Sequence, residues 1–253
     1  MSEYFVLSYT GAPFQRFGLP HLIAISTVIA INVLLVALLR RHYPPKLQEQ
    51  IRYGLVVVSI LNLLAWQLWQ IAVGVWSIAS SLPLQLCTLT GILCVPLLIW
   101  KPYRLYELLY FWGLAGSGHA LLTPDLQIYG FPHFLFWQFF SDHGANMTVV
   151  IFLTVTEHYR PHWRSIGWTV LITSSYMLVI GLVNWLTGGN YLYLARKPAF
   201  PTLFDYLGPW PWYLLGLEVV GLLSCILCYL PFAIRDWSAP RLRAGKVGGS
   251  RSG

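Results

Sequence analysis

Charge is what this sequence has least of: 9 Asp and Glu and 16 Lys and Arg in 253 residues, or 10% of the chain. An ordinary soluble domain is about 25% charged, so these side chains are too few to coat a water-facing surface. That shortage excludes a soluble α/β enzyme, a coiled coil and a disordered chain. Cysteine is scarce as well. All four (Cys87, Cys94, Cys225 and Cys228) fall in apolar stretches, where free Cys behaves as a small hydrophobe. The C-x-x-C of Cys225 and Cys228 marks one packed helical face. No Cys/His spacing fits a zinc site, and G-x-G-x-x-G, P-loop and G-x-S-x-G patterns are missing. Neither a metal nor an organic cofactor is therefore expected. Met1-Ser2-Glu3 lacks the basic start of a secretory signal, so the first helix is expected to serve as an uncleaved anchor.

What is abundant is apolar and aromatic. Hydrophobic residues make up 57% of the chain, with 12 Trp, 15 Tyr and 13 Phe, and the mean hydropathy is +0.60. A membrane-spanning helix needs roughly 20 apolar residues. Seven such windows are present, approximately His21–Leu39, Gly54–Val75, Leu82–Trp100, Tyr103–Leu122, Phe134–Thr156, Ser165–Leu186 and Trp210–Ile234. None alternates as a barrel strand would. The expected fold is all-α, a polytopic bundle of seven transmembrane helices forming one domain over 1–236, with a disordered basic tail over 237–253. Retinal pigments share this helix count but need a Lys in the last helix, and the seventh window has none.

The net charge of +7 reads as topology. All basic residues except Arg16, Arg196 and Lys197 fall in the first, third and fifth connections and the C-terminal tail. Those segments share one side of a seven-helix alternation. Basic loops stay in the cytoplasm, which places the N-terminus outside, in a cell membrane, with no nucleic-acid partner implied. The connection from Thr187 to Pro209 is long for a compact bundle. It contains a possible short helix at Pro201–Leu207 and fits either a lid or re-entrant element or a plain external loop.

Ionisable groups at membrane depth are expensive and mark function by default. At about 1.5 Å of rise per residue, Cys87 lies about 7 Å below the outer face and His119 about 5 Å. On the fifth helix Gln138, Asp142 and His143 lie about 6, 12 and 14 Å deep, and Glu218 on the seventh about 12 Å. Asn184 is near the outer end of the sixth. All fall in the outer half, so they are expected to converge on one cavity there. Gln138, Asp142 and Asn146 repeat every four residues and form one polar stripe. The plain alternative is that Asp142 and Glu218 tie helices together, that Cys87 shares a packing face with Gly91 and Cys94, and that His119 belongs to the small-residue run before it. Glu107 reads as a local ion pair with Arg104; His21 and His133 sit at helix ends in structural positions. A nucleophilic Cys87 needs a base. His143 is the best one available, with Asp142 or Glu218 to orient it.

Several motifs together carry a family resemblance. They are Leu82-Pro83-Leu84-Gln85-Leu86-Cys87, Glu107-Leu108-Leu109-Tyr110-Phe111-Trp112-Gly113, Leu122-Thr123-Pro124-Asp125, Asn184-Trp185 with Asn190-Tyr191, Arg196-Lys197-Pro198 and Gly208-Pro209-Trp210-Pro211-Trp212-Tyr213. From about Phe17 to Phe232 the chain resembles the YwaF family of bacterial integral membrane proteins. That family is similar to a eukaryotic transmembrane acyltransferase that remodels ether phospholipids through a cysteine and a histidine. It is more distantly similar to androgen-induced hydrolases of fatty-acid esters of hydroxy fatty acids. The resemblance implies a bacterial plasma-membrane protein with membrane lipids as substrate or ligand, a nucleophile at Cys87 and a histidine at His143. The pattern departs at Gln85, where relatives often carry His. The expected function is a lipid acyltransferase or lipid-ester hydrolase, with Gln85 or Asn184 steadying an oxyanion and Arg196 or Lys197 holding a phosphate headgroup. The competing expectation is a non-enzymatic seven-helix binder, carrier or accessory subunit.

Overall fold

The computed structural model describes residues 3–40, 44–198 and 203–248. Among the described residues there are seven helical stretches and no strand. They are α1 (Leu19–Leu39), α2 (Pro45–Ala72), α3 (Leu86–Trp100), α4, α5 (Phe134–Thr156), α6 (Trp163–Thr187) and α7 (Trp212–Gly248). α4 is composite: an α-helix Tyr103–Phe111, a π-helical turn Trp112–Gly116 and a last α-helical piece Ser117–Leu122. Single π turns inside helices often accompany functional sites. Here the turn falls in the expected small-residue run, and Gly113 lets α4 lie against α5. A Cβ added at Gly113 would stand 2.9 Å from the carbonyl oxygen of Asn146.

Four helices, α1, α2, α6 and the 212–237 portion of α7, are long and apolar enough to cross a membrane by length and composition. Only 17–22% of each of their apolar windows is buried within the protein. Leu34, Leu68, Leu178, Trp185 and Leu227 are among the large side chains they expose, a surface suited to hydrocarbon. The other three helices are of a different kind. α3 has 15 residues, α4 is broken, and α5 is rich in polar groups yet has 12 of its 23 residues buried. α5 is the hub and packs against α1, α2, α3 and α4, whereas α7 packs on α6 and the π turn of α4.

One end of the bundle is filled. Cys94, Leu97, Leu98, Tyr106, Leu109, Val149 and Leu153 form a solid core there, with Cys225 and Tyr229 of α7 joining it. Glu107 is buried beneath Arg104 at 3.1 Å and also accepts the Ser165 hydroxyl, the local ion pair expected. The other end holds a cavity, bordered in part by the connections between helices. His133 caps α5 by accepting the Leu135 N–H and reaches the Val6 carbonyl, and His21 accepts the Phe17 N–H. Both histidines have the structural positions expected.

Three boundaries differ from expectation. α3 starts at Leu86 rather than Leu82: Pro83 lies in a bend and the Leu82 carbonyl accepts the Leu84 N–H rather than a helical one, while the Tyr191 hydroxyl holds the Leu82 N–H. α2 begins at Pro45, nine residues before the apolar window, since Pro at the first turn starts a helix and the polar residues that follow are good helix formers. α7 continues as helix to Gly248 through the first part of the expected tail, and 249–253 lie outside the described residues. Of the short helix expected at Pro201–Leu207, a 3-10 turn occupies Leu203–Leu207, and 199–202 lie outside the described residues.

Candidate functional site

The cavity measures about 720 Å³ and is lined by α3, α4, α5, α6, α7 and the connection between the last two. Its walls are mainly apolar, Leu86, Phe111, Trp112, Leu126 and Phe139 among them. Sites for small molecules commonly measure about 300–1,000 Å³. Cys87, Gln85, Gln138, Asp142, His143, His119 and Glu218 all line it. Of the groups that depth alone places together, all but Asn184 line this cavity.

Cys87 sits in the first turn of α3, directly after the N-cap residue Gln85 and Leu86. The first N–H groups of a helix have no partner within it, so the backbone around Cys87 offers free donors. Its carbonyl accepts the Asn146 side-chain amide of α5 at 3.1 Å, and Asn146 is also 3.9 Å from the Cys94 thiol. A Cβ on Gly91 would come within 3.3 Å of the Asn146 side-chain oxygen and 3.4 Å of an Asp142 oxygen. The polar stripe of α5 thus packs against the small-residue face of α3.

His143 has a defined protonation pattern. Its Nδ1 is 2.8 Å from the Phe139 carbonyl. A carbonyl can only accept, so the proton is on Nδ1 and Nε2 carries the lone pair. Stacking on Phe139, at 4.2 Å between ring centres, holds the ring. Among the described residues no hydrogen bond joins Cys87 to His143. The structure brings both to one cavity without pairing them.

Asp142 makes no hydrogen bond among the described residues, and it borders a second, small void as well as the main cavity. Ser59, Asn62, Thr88 and Gln138 share that void, whose volume of about 10 Å³ is the size of a single water. The Ser59 hydroxyl and the Asn62 side-chain nitrogen are buried there without partners. Across the main cavity, Glu218 accepts the Ser174 hydroxyl at 2.9 Å, tying α7 to α6. His119 Nε2 stands 2.7 Å from Ser224 Oγ, tying α4 to α7.

Of the connection between α6 and α7, residues 188–198 and 203–211 are described, and part of them faces the cavity. Leu192, Tyr193, Pro198 and Phe204 line the cavity. The Leu192 N–H donates to Gln85 Oε1 at 3.1 Å, the Tyr193 hydroxyl to Asp125 at 3.1 Å, and the Tyr213 hydroxyl to the Tyr193 carbonyl. Leu192 and Tyr193 both have left-handed backbones, φ 56° and 54°, rare for side-chain-bearing residues. Burial, then the Asp125 charge, pushes the Tyr193 hydroxyl above its ordinary pKa. Tyr193 therefore stays a neutral donor.

One expectation needs correction. Asn184 does not line the cavity; its amide is bonded to the Tyr191 backbone at 2.9 and 2.7 Å, so it holds the connection instead of facing an oxyanion. Arg196 and Lys197 lie outside the cavity lining. Lys197 lies 5.6 Å over the Tyr213 ring, and the Arg196 backbone is bound by Asn190. The lining contains Asp125, Asp142 and Glu218 and no Lys or Arg, so a phosphate would meet basic groups only outside it. Sequence reasoning missed Ser224 and Tyr193 as lining groups, and it noticed Asp125 only within a family motif. Among the described residues no group of three or more His, Cys, Asp and Glu could hold a metal ion.

A model of the TMEM164 family, a family of transmembrane proteins, matches residues 16–229. No curated protein and no solved structure matches the chain. The chain belongs to the TMEM164 family and is a multi-pass membrane protein.

Proposed function

We propose that this member of the TMEM164 family is a membrane-embedded lipid acyltransferase or lipid-ester hydrolase. The observation that carries the reading is that Cys87 and His143 open on one largely apolar cavity of about 720 Å³. The Nδ1–H of His143 is committed to the Phe139 carbonyl, which leaves Nε2 as a base. The resemblance to the YwaF family, carried at this site by Leu82-Pro83-Leu84-Gln85-Leu86-Cys87, implies the same roles for Cys87 and His143.

The thiol proton of Cys87 passes to His143 Nε2, and the thiolate attacks the carbonyl carbon of a lipid ester. Collapse of the adduct breaks the ester C–O bond, and the leaving alcohol takes the proton back from His143. A lipid hydroxyl or amine, or water, then attacks the acyl-cysteine and gives its proton to His143; the acyl C–S bond breaks and the Cys87 sulfur takes the proton back. Backbone N–H groups in the first turn of α3 and the Gln85 amide nitrogen are the donors nearest the developing oxyanion. Gln85 Oε1 is held by Leu192 N–H, which turns its NH2 end free. Glu218 and Asp142 supply negative charge for the imidazolium. With the basic connections in the cytoplasm, the cavity opens to the outer leaflet, and Arg196 and Lys197 meet a phosphate headgroup at its rim.

Lipidomics of membranes carrying wild type, Cys87→Ser or His143→Ala tests the reading. Both variants should stay folded in detergent and lose all change in lipid acyl composition. Full activity in either one refutes it. The missing hydrogen bond between Cys87 and His143 favours a second reading, in which the cavity binds a lipid or small solute and Cys87 only packs. A thiol probe separates the two: labelling of Cys87 that depends on His143 belongs to the enzyme, an unreactive Cys87 to the binder.

A further inference from the structure

In the same cavity, away from Cys87 and His143, one pair already has the contact geometry of a nucleophile and its base. His119 Nε2 is 2.7 Å from Ser224 Oγ, and both residues line the cavity. A nucleophile hydrogen-bonded to a base is the diagnostic arrangement for covalent catalysis. The Ser224 hydroxyl also lies 2.7 Å from the Val220 carbonyl one turn earlier on α7. A hydroxyl has one proton, and the carbonyl can only accept. When Ser224 gives its proton to Val220, His119 must donate Nε2–H; in the other tautomer the Nε2 lone pair receives the serine proton. Nothing among the described residues holds His119 Nδ1, so the tautomer is free to change, unlike that of His143. A change of tautomer at His119 and rotation of the hydroxyl separate the resting arrangement from the reactive one.

The surroundings admit a substrate. Gly221 also lines the cavity, and nothing lies within 4 Å of the place its Cβ would occupy, which leaves room beside Ser224 for an ester carbonyl. Glu218, on the same helix, lines the cavity too.

We propose that Ser224 and His119 form a second catalytic pair that hydrolyses carboxylic esters of lipid-like alcohols bound in this cavity, independently of Cys87. Ser224 Oγ attacks the ester carbonyl carbon as its proton moves to His119 Nε2. The ester C–O bond breaks, the alcohol leaves with the proton from His119, and the acyl group remains on Ser224. Water then attacks the acyl-serine, giving its proton to His119. The Oγ–acyl bond breaks, the carboxylic acid leaves, and Ser224 recovers its proton. This goes beyond the cysteine reading and stands or falls separately.

The test uses the full chain in detergent with a long-chain alkyl fluorophosphonate and locates adducts by peptide mass spectrometry. Ser224 should be labelled equally in wild type and Cys87→Ala, and not in Ser224→Ala. General-base catalysis contributes about 10²–10⁴-fold, so His119→Ala should slow labelling at least 100-fold. His119→Gln keeps a polar side chain of similar reach without a usable base and guards against misfolding. Its labelling should be equally slow while its melting temperature stays near that of wild type. No Ser224 adduct, or labelling at the wild-type rate in a folded His119→Gln, overturns the proposal. Iodoacetamide labelling of Cys87 in parallel reads the cysteine mechanism, so the failure of either pair is seen without the other.

Discussion

Removing one oxygen from Tyr191 tests whether the connection over the cavity is held as firmly as its bonding indicates. Tyr191 is 1% exposed. Its hydroxyl donates to the Ile78 carbonyl at 2.6 Å and accepts the Leu82 N–H at 2.9 Å, while Asn184 grips its backbone from α6. Tyr191→Phe keeps the ring and the Asn184 bonds. It forfeits two hydrogen bonds worth about 0.5–1.5 kcal/mol each, and the buried Leu82 N–H is left to bear part of a desolvation cost of about 1–3 kcal/mol. The sum is about 2–4 kcal/mol taken from local rather than global opening. At 1.4 kcal/mol per decade, that is roughly a 30- to 1,000-fold rise in opening. Amide hydrogen exchange in detergent micelles reads it directly, because the Leu82 N–H is itself the donor and the Leu192 N–H is bound to Gln85 only while the connection stays seated. Both should exchange faster by that factor, with the α5 core around Val149 and Leu153 unchanged. If Leu192 keeps wild-type protection, the hydroxyl is not what seats the connection, and the link from Tyr191 to the first turn of α3 is wrong.

Gly113→Ala puts a methyl 2.9 Å from the Asn146 carbonyl oxygen and 3.3 Å from Val150; overpacking of this kind costs about 1–3 kcal/mol. Gly118→Ala, with nothing within 4 Å, should be neutral or slightly stabilising when the two melting temperatures are compared. Asn146→Ala removes the side-chain bond to the Cys87 carbonyl. Polar links between membrane helices average about 0.6 kcal/mol with a maximum near 1.7, so stability should fall by about that much while the thiol reactivity of Cys87 shifts. Burial pushes the His133 imidazole below its ordinary pKa. The unfolded imidazole takes up its proton near pH 6.5 and the folded one only at lower pH. Between those values the unfolded state holds more protons, so stability is lost as pH falls below about 6.5. Protection of the Leu135 amide, which donates to His133, should decline on acidification in wild type and lose that pH dependence in His133→Gln.

Much of this fold was legible because a membrane writes helix number and depth along one dimension. Apolar windows long enough to span lipid located all seven helices, and 1.5 Å of rise per residue put Cys87, His143 and Glu218 in the same half of the bundle. Rotation about each helix axis is a second dimension, and the sequence says little about it. α1 and α6 are apolar nearly all round, so no polar face betrays which side turns inward. Asn184 had the right depth and the wrong direction; it faces Tyr191 instead of the cavity. The pairing of Ser224 with His119 joins residues 105 apart in sequence, and an isolated Ser in an apolar helix gives no sign of its partner. The late start of α3 was hidden for a similar reason. Tyr191, more than a hundred residues away, binds the Leu82 N–H and anchors the segment before α3 outside the helix.

The division of labour between helices explains why the polar groups survive in this chain at all. Lipid gives helices no hydrophobic reason to associate, so small-residue contacts and hydrogen bonds must hold them. The apolar α1, α2, α6 and α7 face outward, and the short α3, the broken α4 and the polar α5 are more deeply buried. Bonds across that boundary include Trp112 to Thr173, His119 to Ser224, Tyr110 to the Cys228 carbonyl and Ser165 to Glu107, and Ser174 to Glu218 ties α6 to α7. Trp112, Thr173, His119, Ser224 and Glu218 also line the cavity. Several groups that assemble the bundle are thus also ones that give the cavity its chemistry. A deletion at Glu218 or His119 removes a helix contact and a cavity group together, so loss of activity in an alanine variant does not by itself assign a role. Glu218→Gln separates the two effects. It retains an acceptor for the Ser174 hydroxyl and removes only the negative charge. An activity loss in a variant that keeps the wild-type melting temperature would assign the role to the charge, and unchanged activity would reduce Glu218 to a tie between α6 and α7.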